Sequence, residues 1–205
     1  MDSKIAFAKK MMTSSFTPDT FSNCKDLSTL ECNDDDLLYI KKDGSTSSRH
    51  VFVTKYSKIN EMISNLHDVR DYIIQKSMQN PDLYEGKRYK IRVHVILHDK
   101  NVYLHRKCFA TVSKIKYDPT TDDNNTIREM NVIYQANTEK FILFNELDDY
   151  EKIENCIINA LHDFKKYYQE EINTIDENEF SILGFDFVVD RDKNVNIIEI
   201  NHRSN

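Results

Sequence analysis

Glycine and proline are both scarce in this chain, and their scarcity narrows the class of protein. Only 3 of the 205 residues are glycine and 3 are proline, which excludes collagen-like and linker-like sequences. No window approaches 18 consecutive apolar residues, so no membrane-spanning helix is predicted. With 40% hydrophobic residues, the chain is long enough for one substantial domain or for two small lobes that share a core.

Cysteine is also sparse, and its spacing excludes two kinds of scaffold. None of the four cysteines forms a CxxC pair, which argues against a zinc site and a disulfide framework; they are Cys24, Cys32, Cys108 and Cys156. Reduced, buried thiols are the expectation. The N-terminal apolar run is too short for a signal peptide, and a net charge of −6 argues against nonspecific nucleic-acid binding. We therefore expect a cytoplasmic protein with neither nucleic acid nor membrane as a partner.

Hydrophobic periodicity predicts an α+β fold. Strands are predicted at 37–41, 50–54, 71–76, 89–96, 102–112, 181–189 and 195–201, and helices at 57–66 and 145–175. Ser57 is the expected N-cap of the first helix. A loop of small residues at 42–49 joins the first two strands. Such a loop can cover phosphates with backbone N–H groups, although an ordinary hairpin tip has the same composition and no Walker A motif is present.

The final hairpin predicts a cluster of acidic side chains. A four-residue turn that pairs Asp190 with Val195 also sets Asp186 opposite Glu199, and period-two alternation puts Asn201 on the same face. Opposed like charges need a compensating cation, and Mg²⁺ prefers oxygen ligands. An edge hairpin with an acidic solvent-facing side gives the same spacing, so spacing alone does not separate the two interpretations.

A basic strand supplies the complementary charge. Arg88, Lys90, Arg92 and His94 alternate onto one face, and Arg106 lies on the predicted return strand nearby. A row of cations beside an acidic hairpin suits a polyphosphate. A solvated basic face is the alternative interpretation.

Six segments, in order, carry a resemblance to a known family. They read YIKKDGSTSSR at 39–49, IIQK at 73–76, NPDLYEGKRYKIRVHV at 80–95, VYLHR at 102–106, GFDF at 184–187 and IEIN at 198–201. Together they resemble the motifs of tubulin-tyrosine-ligase-like enzymes over residues 37–201. The resemblance implies an ATP-grasp fold, in which two lobes with antiparallel sheets clasp ATP. Residues 1–36 would then be an N-terminal extension or remnant lobe, 37–78 the nucleotide-binding subdomain and 79–205 the catalytic subdomain.

The resemblance also implies a role for individual residues. Lys42 and Lys76 are similar to the two nucleotide-binding lysines, and Gln75, Ser77 and Met78 to the strand beside adenine. Arg92 and Arg106 resemble the arginines that hold the γ-phosphate and the acyl intermediate, with Arg88 where the family usually has lysine. Asp186, Glu199 and Asn201 resemble the magnesium ligands. We expect Lys42, Lys76, Arg92 and Arg106 to surround one cleft.

Two departures qualify the resemblance. Lys90 stands where the family commonly has an aspartate, and the His-Leu-Thr-Asn segment has no clear match near residues 131–134. The short N-terminal part fits a minimal, virus-like version or a fragment.

The implied function is an ATP- and Mg²⁺-dependent ligase that forms an acyl phosphate and joins an amino acid to a protein or peptide. Its substrate would be an amino acid of the Glu, Gly or Tyr class, with tubulin among the candidate acceptors. The departures leave open a nucleotide-binding pseudo-ligase that acts as an interaction module, and a plain α+β structural domain is a third hypothesis.

Overall fold

The chain forms two lobes, each built on an antiparallel sheet. The computed structural model describes residues 3–21, 31–44, 50–121, 123–131 and 138–201. The expected phosphate-covering loop at 45–49, Cys24 and residues 132–134 of the unmatched segment lie outside the described residues. Cys32, Cys108 and Cys156 carry free thiols, of which Cys108 is buried, and burial raises the pKa of its thiol to about 11.

The smaller lobe contains a four-stranded sheet whose two faces differ. Its strands in spatial order are β1 (Thr20–Phe21), β4 (Tyr72–Lys76), β2 (Leu37–Lys42) and β3 (Val51–Lys55). Leu38 and Ile40 of β2 pack with Tyr72 and Ile74 of β4 against Ile59 of helix α2 (Ile59–Ser64). Because side chains alternate along a strand, Tyr39 and Lys41 lie on the opposite face, toward the larger lobe.

The helix predicted at 57–66 is shorter than expected and begins differently. A 3-10 turn occupies Tyr56–Lys58, so the α-helix begins only at Ile59, after Lys58. The prediction that Ser57 caps it is therefore wrong. Ser57 lies inside the 3-10 turn, and its backbone N–H donates to the carbonyl of Asp34, at 3.1 Å.

The larger lobe contains a seven-stranded sheet covered on one face by helices. The sheet comprises β5 (Leu83–Tyr84), β6 (Lys87–His98), β7 (Asn101–Leu104), β8 (Phe109–Lys116), β9 (Thr138–Leu143), β10 (Phe180–Val189) and β11 (Val195–Asn201). Phe185 and Phe187 of β10 are fully buried against Phe164 and Ile157 of helix α4 (Tyr150–Tyr167). Helix α1 (Lys4–Met11) adds Phe7 and Met11 to this core, and α5 (Gln169–Asn173) adds Ile172.

Two long predicted elements are interrupted. The return strand predicted at 102–112 is split into β7 and β8, because the four residues 105–108 lie opposite only Val93 and His94 of β6. The helix predicted at 145–175 begins at Tyr150, since Asp149 has a left-handed backbone (φ 56°), and it is interrupted at Tyr168 before α5. No helix in the described ranges is both long and apolar enough to cross a membrane.

In the final hairpin the acidic residues pair as predicted, but the length of the turn and the register of the strands differ from the prediction. Val189, not Asp190, pairs with Val195, so the turn is one residue longer than predicted. A bulge at Ile198 then shifts the register by one, and Asp186 pairs with Glu199 as predicted. Gly184 pairs with Asn201, which keeps all these positions on the sheet face away from the helices.

The two lobes are joined by two passages of the chain and by contacts of helices α1 and α3 (Asn124–Asn131) with the smaller lobe. The chain passes from α1 through 12–19 into β1, and it returns after β4 through 77–82. These passages are adjacent, since Thr20 pairs with Gln75 and the N–H of Lys76 donates to the carbonyl of Asp19, at 2.8 Å. Helix α3 contacts both β3 and β8, with Ile127 buried against Val53.

Candidate functional site

A cleft of about 820 Å³, open to solvent, lies between the two sheets. Its lining comes from both lobes and from the N-terminal segment: Lys4, Pro18, Tyr39, Lys41, Val51, Gln75, Lys76, Met78, Arg88, Tyr89, Lys90, Asn131, Asp186, Val188, Ile198 and Glu199. Apolar side chains and charged groups both contribute, which is typical of pockets that hold a molecule with an apolar and a charged part.

Asp186 is the most enclosed acidic group of the cleft. Its side chain is 1% exposed and accepts bonds from Lys90 Nζ, at 3.1 Å, and from both Nε and Nη2 of Arg92, the latter at 2.9 Å. Arg92 pairs with Asp186 across β6 and β10, and Lys90 lies on the same face of β6. Burial opposes ionisation of Asp186, but these cations hold its pKa below the ordinary value. The carboxylate is therefore charged and clamped.

Glu199 faces Asp186 and has a different partner. Its Oε1 lies 3.3 Å from Nζ of Lys4 in α1. Asn201, two residues further along the same face of β11, has its Nδ2 buried without a hydrogen-bond partner. Within the described ranges, no three His, Cys, Asp or Glu side chains gather into a metal-binding group.

Lys41 occupies the position in the cleft that was expected of Lys42. The expectation for Lys42 is wrong in its geometry, because alternation along β2 puts Lys42 on the face of Leu38 and Ile40, whereas Lys41 lines the cleft. Lys41 Nζ donates to Oε1 of Gln75, at 2.5 Å, and to the carbonyl of Ile198, at 3.4 Å. Burial lowers the pKa of Lys41 to about 8, although the carboxylate of Glu199 opposes this.

Three residues of the segment 75–78 line the cleft, while their expected place beside adenine stays a prediction. Gln75 is buried and also donates from Nε2 to Oγ1 of Thr20, at 3.1 Å. Met78 and Lys76 line the cleft. The ammonium of Lys76 lies 2.9 Å from Oδ2 of Asp36. The hydrogen bond that it donates to this carboxylate raises the pKa of Lys76. Ser77 is buried beside Arg88.

Arg88 lines the cleft from β6 and fixes helix α3. Its guanidinium is buried and donates to Oδ1 of Asn131, the last residue of α3, and to Oγ of Ser77, at 3.4 Å. Asn131 in turn donates to the carbonyl of Ile127, at 2.7 Å. Arg88 therefore links β6, α3 and the passage between the lobes.

Arg106 does not reach the cleft. It lies in the interruption between β7 and β8, where its side chain is exposed. Neither Arg92 nor Arg106 is among the described residues that line the cleft, so these arginines do not surround it together with Lys76 as expected. The roles that the resemblance implies for them stay predictions. His94 follows Arg92 on the same face of β6 and lies edge-on to His105, with ring centroids 6.4 Å apart.

Two lysines that line the cleft, Lys4 and Lys41, were not predicted from the sequence. The signal for Lys41 was present, because Leu38 and Ile40 fix which face of β2 is apolar and so exclude Lys42 from the other face. Lys4 had no comparable signal, since it precedes every recognisable motif by more than 30 residues. Only the packing of α1 brings it to Glu199.

Two lobes with antiparallel sheets and a charged cleft between them define an ATP-grasp protein. Residues 18–205 match the YheC/D-like ATP-grasp family, and the chain belongs to this family. It is also similar to tubulin glycylase 3C of Tetrahymena thermophila, with 26% identity over 196 residues, or 82% of this chain and 18% of that protein. A probable tubulin–tyrosine ligase of Schizosaccharomyces pombe is 24% identical over 148 residues, or 66% of this chain and 36% of that protein. The chain thus spans well under half the length of either relative.

Proposed function

We propose that the protein is an ATP- and Mg²⁺-dependent ligase that joins an amino acid to a carboxylate of a protein or peptide. The observation that carries this proposal is the convergence of cations from both lobes on two opposed carboxylates. Lys41 comes from the smaller sheet and Lys90 and Arg92 from the larger one, around Asp186 and Glu199. Such a cleft can neutralise a polyphosphate and hold it in line for transfer.

The apolar part of the cleft suits a nucleotide base. Tyr39, Val51, Met78, Val188 and Ile198 line it, and flat apolar surfaces with a few polar groups are typical of base-binding pockets. Residues 75–78 form the edge on which the base would lie. The phosphates would then extend toward Lys41, Lys90 and the acidic pair.

The acidic pair fits a magnesium ion in its chemistry. Asp186 and Glu199 present carboxylate oxygens from opposite strands, and Asn201 on the same face has an amide oxygen that could join them, while its Nδ2, which can only donate, has no partner. Hard oxygen ligands of this kind are those Mg²⁺ prefers, with phosphates completing its shell. When bound, the ion would neutralise the charge of the transferred phosphoryl group.

In ligases of this kind ATP activates a carboxylate as an acyl phosphate with release of ADP, and the amine then displaces phosphate to form the amide. The chain's own residues would stabilise the charge that develops on the transferred group. Lys41 and Lys90 lie on opposite walls of the cleft, and Arg92 holds Asp186 in a two-bond contact. Preorganised cations of this kind supply much of the catalysis in phosphoryl transfer.

The relatives suggest the substrate class. One is named as a tubulin glycylase and the other as a probable tubulin–tyrosine ligase. Glycine and tyrosine are therefore the amino acids to test first, followed by glutamate, which the sequence resemblance also implies, with tubulin among the candidate acceptors.

The test is ADP release by the full 205-residue chain with ATP, MgCl₂, one of the three amino acids and an acceptor peptide. We expect ADP formation that requires both the amino acid and the acceptor, together with an acceptor heavier by one residue in mass spectrometry. Lys152→Gln is a suitable control, because Lys152 is exposed on α4, which packs against the sheet face opposite the cleft, and its loss should leave the rate unchanged. Absence of nucleotide binding would contradict the proposal.

One contact favours a second function, that of a nucleotide-binding module without turnover. Lys90 holds Asp186 at 3.1 Å, and an ammonium at this distance competes with a metal ion for the carboxylate. ATP binding without ADP release, across all amino acids and acceptors tested, would support this module and contradict the ligase.

A further inference from the structure

Helix α1 contributes to the cleft although it lies outside the family match. The match begins at residue 18, whereas Lys4 lines the cleft beside Lys41, Lys90 and Glu199. A helix with only a packing role would not need to present a charged side chain to the inner wall of a cleft between two lobes.

The position of Lys4 is fixed from both lobes. In the smaller lobe, Oδ1 of Asp43 accepts from the backbone N–H of Lys4, at 2.6 Å, and of Ile5, at 3.4 Å, while Oδ2 accepts from Oγ of Ser3, at 2.8 Å. In the larger lobe, Met11 is fully buried in the main core. The start of the helix is therefore held where the ammonium of Lys4 reaches Oε1 of Glu199, at 3.3 Å.

The charges around this contact do not balance. Among the described residues that line the cleft, Asp186 and Glu199 are acidic, whereas Lys4, Lys41, Lys76, Arg88 and Lys90 are basic, and of these Lys76 is paired with Asp36. Asp186 already has two cationic partners, so Lys4 adds positive charge to the side of the cleft where Glu199 lies. An excess of positive charge in a partly buried cleft favours an anion that carries at least two negative charges.

We propose that Lys4 is a phosphate-binding residue of the nucleotide site, supplied by the N-terminal helix. The inference rests on the proposed function, because the phosphates are those of the nucleotide. Lys4 contacts the terminal phosphates beside Glu199, on the side opposite Lys90 and Arg92. Asp43 acts as a positioning residue that holds the helix in place for this contact.

The experiment measures the affinity of the full chain for adenosine, ADP and ATP by calorimetry with MgCl₂ present. Lys4→Gln removes the charge and Lys4→Arg keeps it. Lys9→Gln is the matched control, because Lys9 lies on the exposed side of the same helix. A melting curve of each variant without ligand checks that α1 remains folded.

We expect Lys4→Gln to weaken ATP binding by roughly tenfold or more, as loss of a charge-assisted hydrogen bond does. Adenosine binding should be unchanged, and Lys4→Arg and Lys9→Gln should bind ATP within about threefold of the wild type. A similar loss for adenosine and ATP would overturn the inference, because it would indicate a structural effect only.

Tighter ATP binding by Lys4→Gln would also overturn it, since Lys4 would then merely block Glu199. Equal ATP affinity of the wild type and Lys4→Gln would overturn this inference alone and leave the ligase proposal intact. Failure of the wild type to bind ATP would overturn both.

Discussion

Lys41 carries a charge that burial disfavours, and this gives a pH-dependent prediction. Its pKa falls from the ordinary value of 10.5 to about 8, which corresponds to about 3 kcal/mol. Below pH 8 the lysine is charged in both the folded and the unfolded chain, so the folded state bears the full cost. Between pH 8 and 10.5 the folded protein holds neutral lysine while the unfolded chain remains protonated, so stability rises with pH.

Lys41→Met should therefore increase the free energy of unfolding at pH 7 by about 1–3 kcal/mol, the lower figure allowing for the acceptor left unpaired on Gln75. The advantage should shrink as the pH approaches 10.5. Urea unfolding of both proteins at several pH values measures it. The variant should lose nucleotide stabilisation, whereas Lys42→Met, on the opposite face of the same strand, should retain it. An advantage independent of pH would contradict the assigned pKa.

Glu199 gives a second prediction, because its own side chain stays about a third exposed in its ion pair with Lys4. Its pair with Lys4 has side-chain exposures of 31% and 14%, so Glu199→Gln should change the unliganded free energy of unfolding by less than about 1 kcal/mol. The same variant should lose the stabilisation that ATP and Mg²⁺ together provide.

Thermal unfolding at several Mg²⁺ concentrations tests this, with Glu139→Gln as the control. Glu139 also pairs with a lysine, Lys87, and neither of these two residues lines the cleft. If Glu199→Gln keeps a Mg²⁺-dependent shift equal to that of the wild type, Glu199 is not a metal ligand.

At the scale of elements, the final hairpin shows which parts of the site a sequence can fix. Alternation and the burial of Phe185 and Phe187 determine the face on which Asp186 lies, and this was predicted. The turn length was not, because a five-residue turn with a bulge and a four-residue turn without one place Glu199 at the same position. Turn geometry depends on local backbone conformation, such as the left-handed Lys193 (φ 66°), which apolar periodicity does not encode.

Interruptions within strands and helices were even harder to predict from the sequence than the length of the turn. The apolar pattern of 145–175 correctly predicts a helix across the larger sheet, but it does not show that this helix is interrupted at Tyr168. Arg106 illustrates the cost of such an error, since two extra residues in the return strand move its side chain out of the expected position. Patterns predict that an element exists and which face it buries, whereas bulges depend on contacts with neighbouring strands.

Helix α1 provides the third prediction, because its start is held both by its own N-cap, Ser3, and by Asp43 of the smaller lobe. Asp43→Ala removes the acceptor of the Lys4 and Ile5 amides and of the Ser3 hydroxyl. The helix start should be destabilised by about 1–2 kcal/mol, as for other lost caps. Hydrogen exchange of the α1 amides measures this directly.

Asp123→Ala is the matched control for that experiment. Asp123 accepts from the N–H of Thr126, at 2.7 Å, and so caps α3 in the same manner. Its loss should speed exchange in α3 and leave α1 unchanged. Unchanged exchange of α1 in Asp43→Ala would show that the Ser3 cap and the core packing of Phe7 and Met11 hold the helix without Asp43.

For the whole molecule, the unequal cores of the lobes predict unequal local stability. The smaller lobe has five buried apolar side chains in its main cluster, whereas the larger lobe has an extensive core that joins β6, β8, β10 and three helices. Less buried apolar area gives less local stability. Amides of β2 and β4 should therefore exchange through an opening of lower free energy than amides of β6 and β10.

ATP with Mg²⁺ should raise the protection of β2 and β4 more than that of β6 and β10, because a ligand held between the lobes stabilises only states in which both are folded. Native-state hydrogen exchange with and without nucleotide measures this. Equal protection in both sheets without ligand would show that the molecule unfolds as a single unit.

The adjacent passages at 12–19 and 77–82 limit how the cleft can change shape. Two neighbouring segments joined by the Lys76–Asp19 hydrogen bond lie along one line, and a rotation about that line is the motion that strains them least. Helix α3, which contacts both sheets, and Asp43, which holds the start of α1, join the lobes elsewhere. An opening of the cleft about this line must therefore break or shift those contacts, so the closed arrangement is secured by groups that lie outside the two passages.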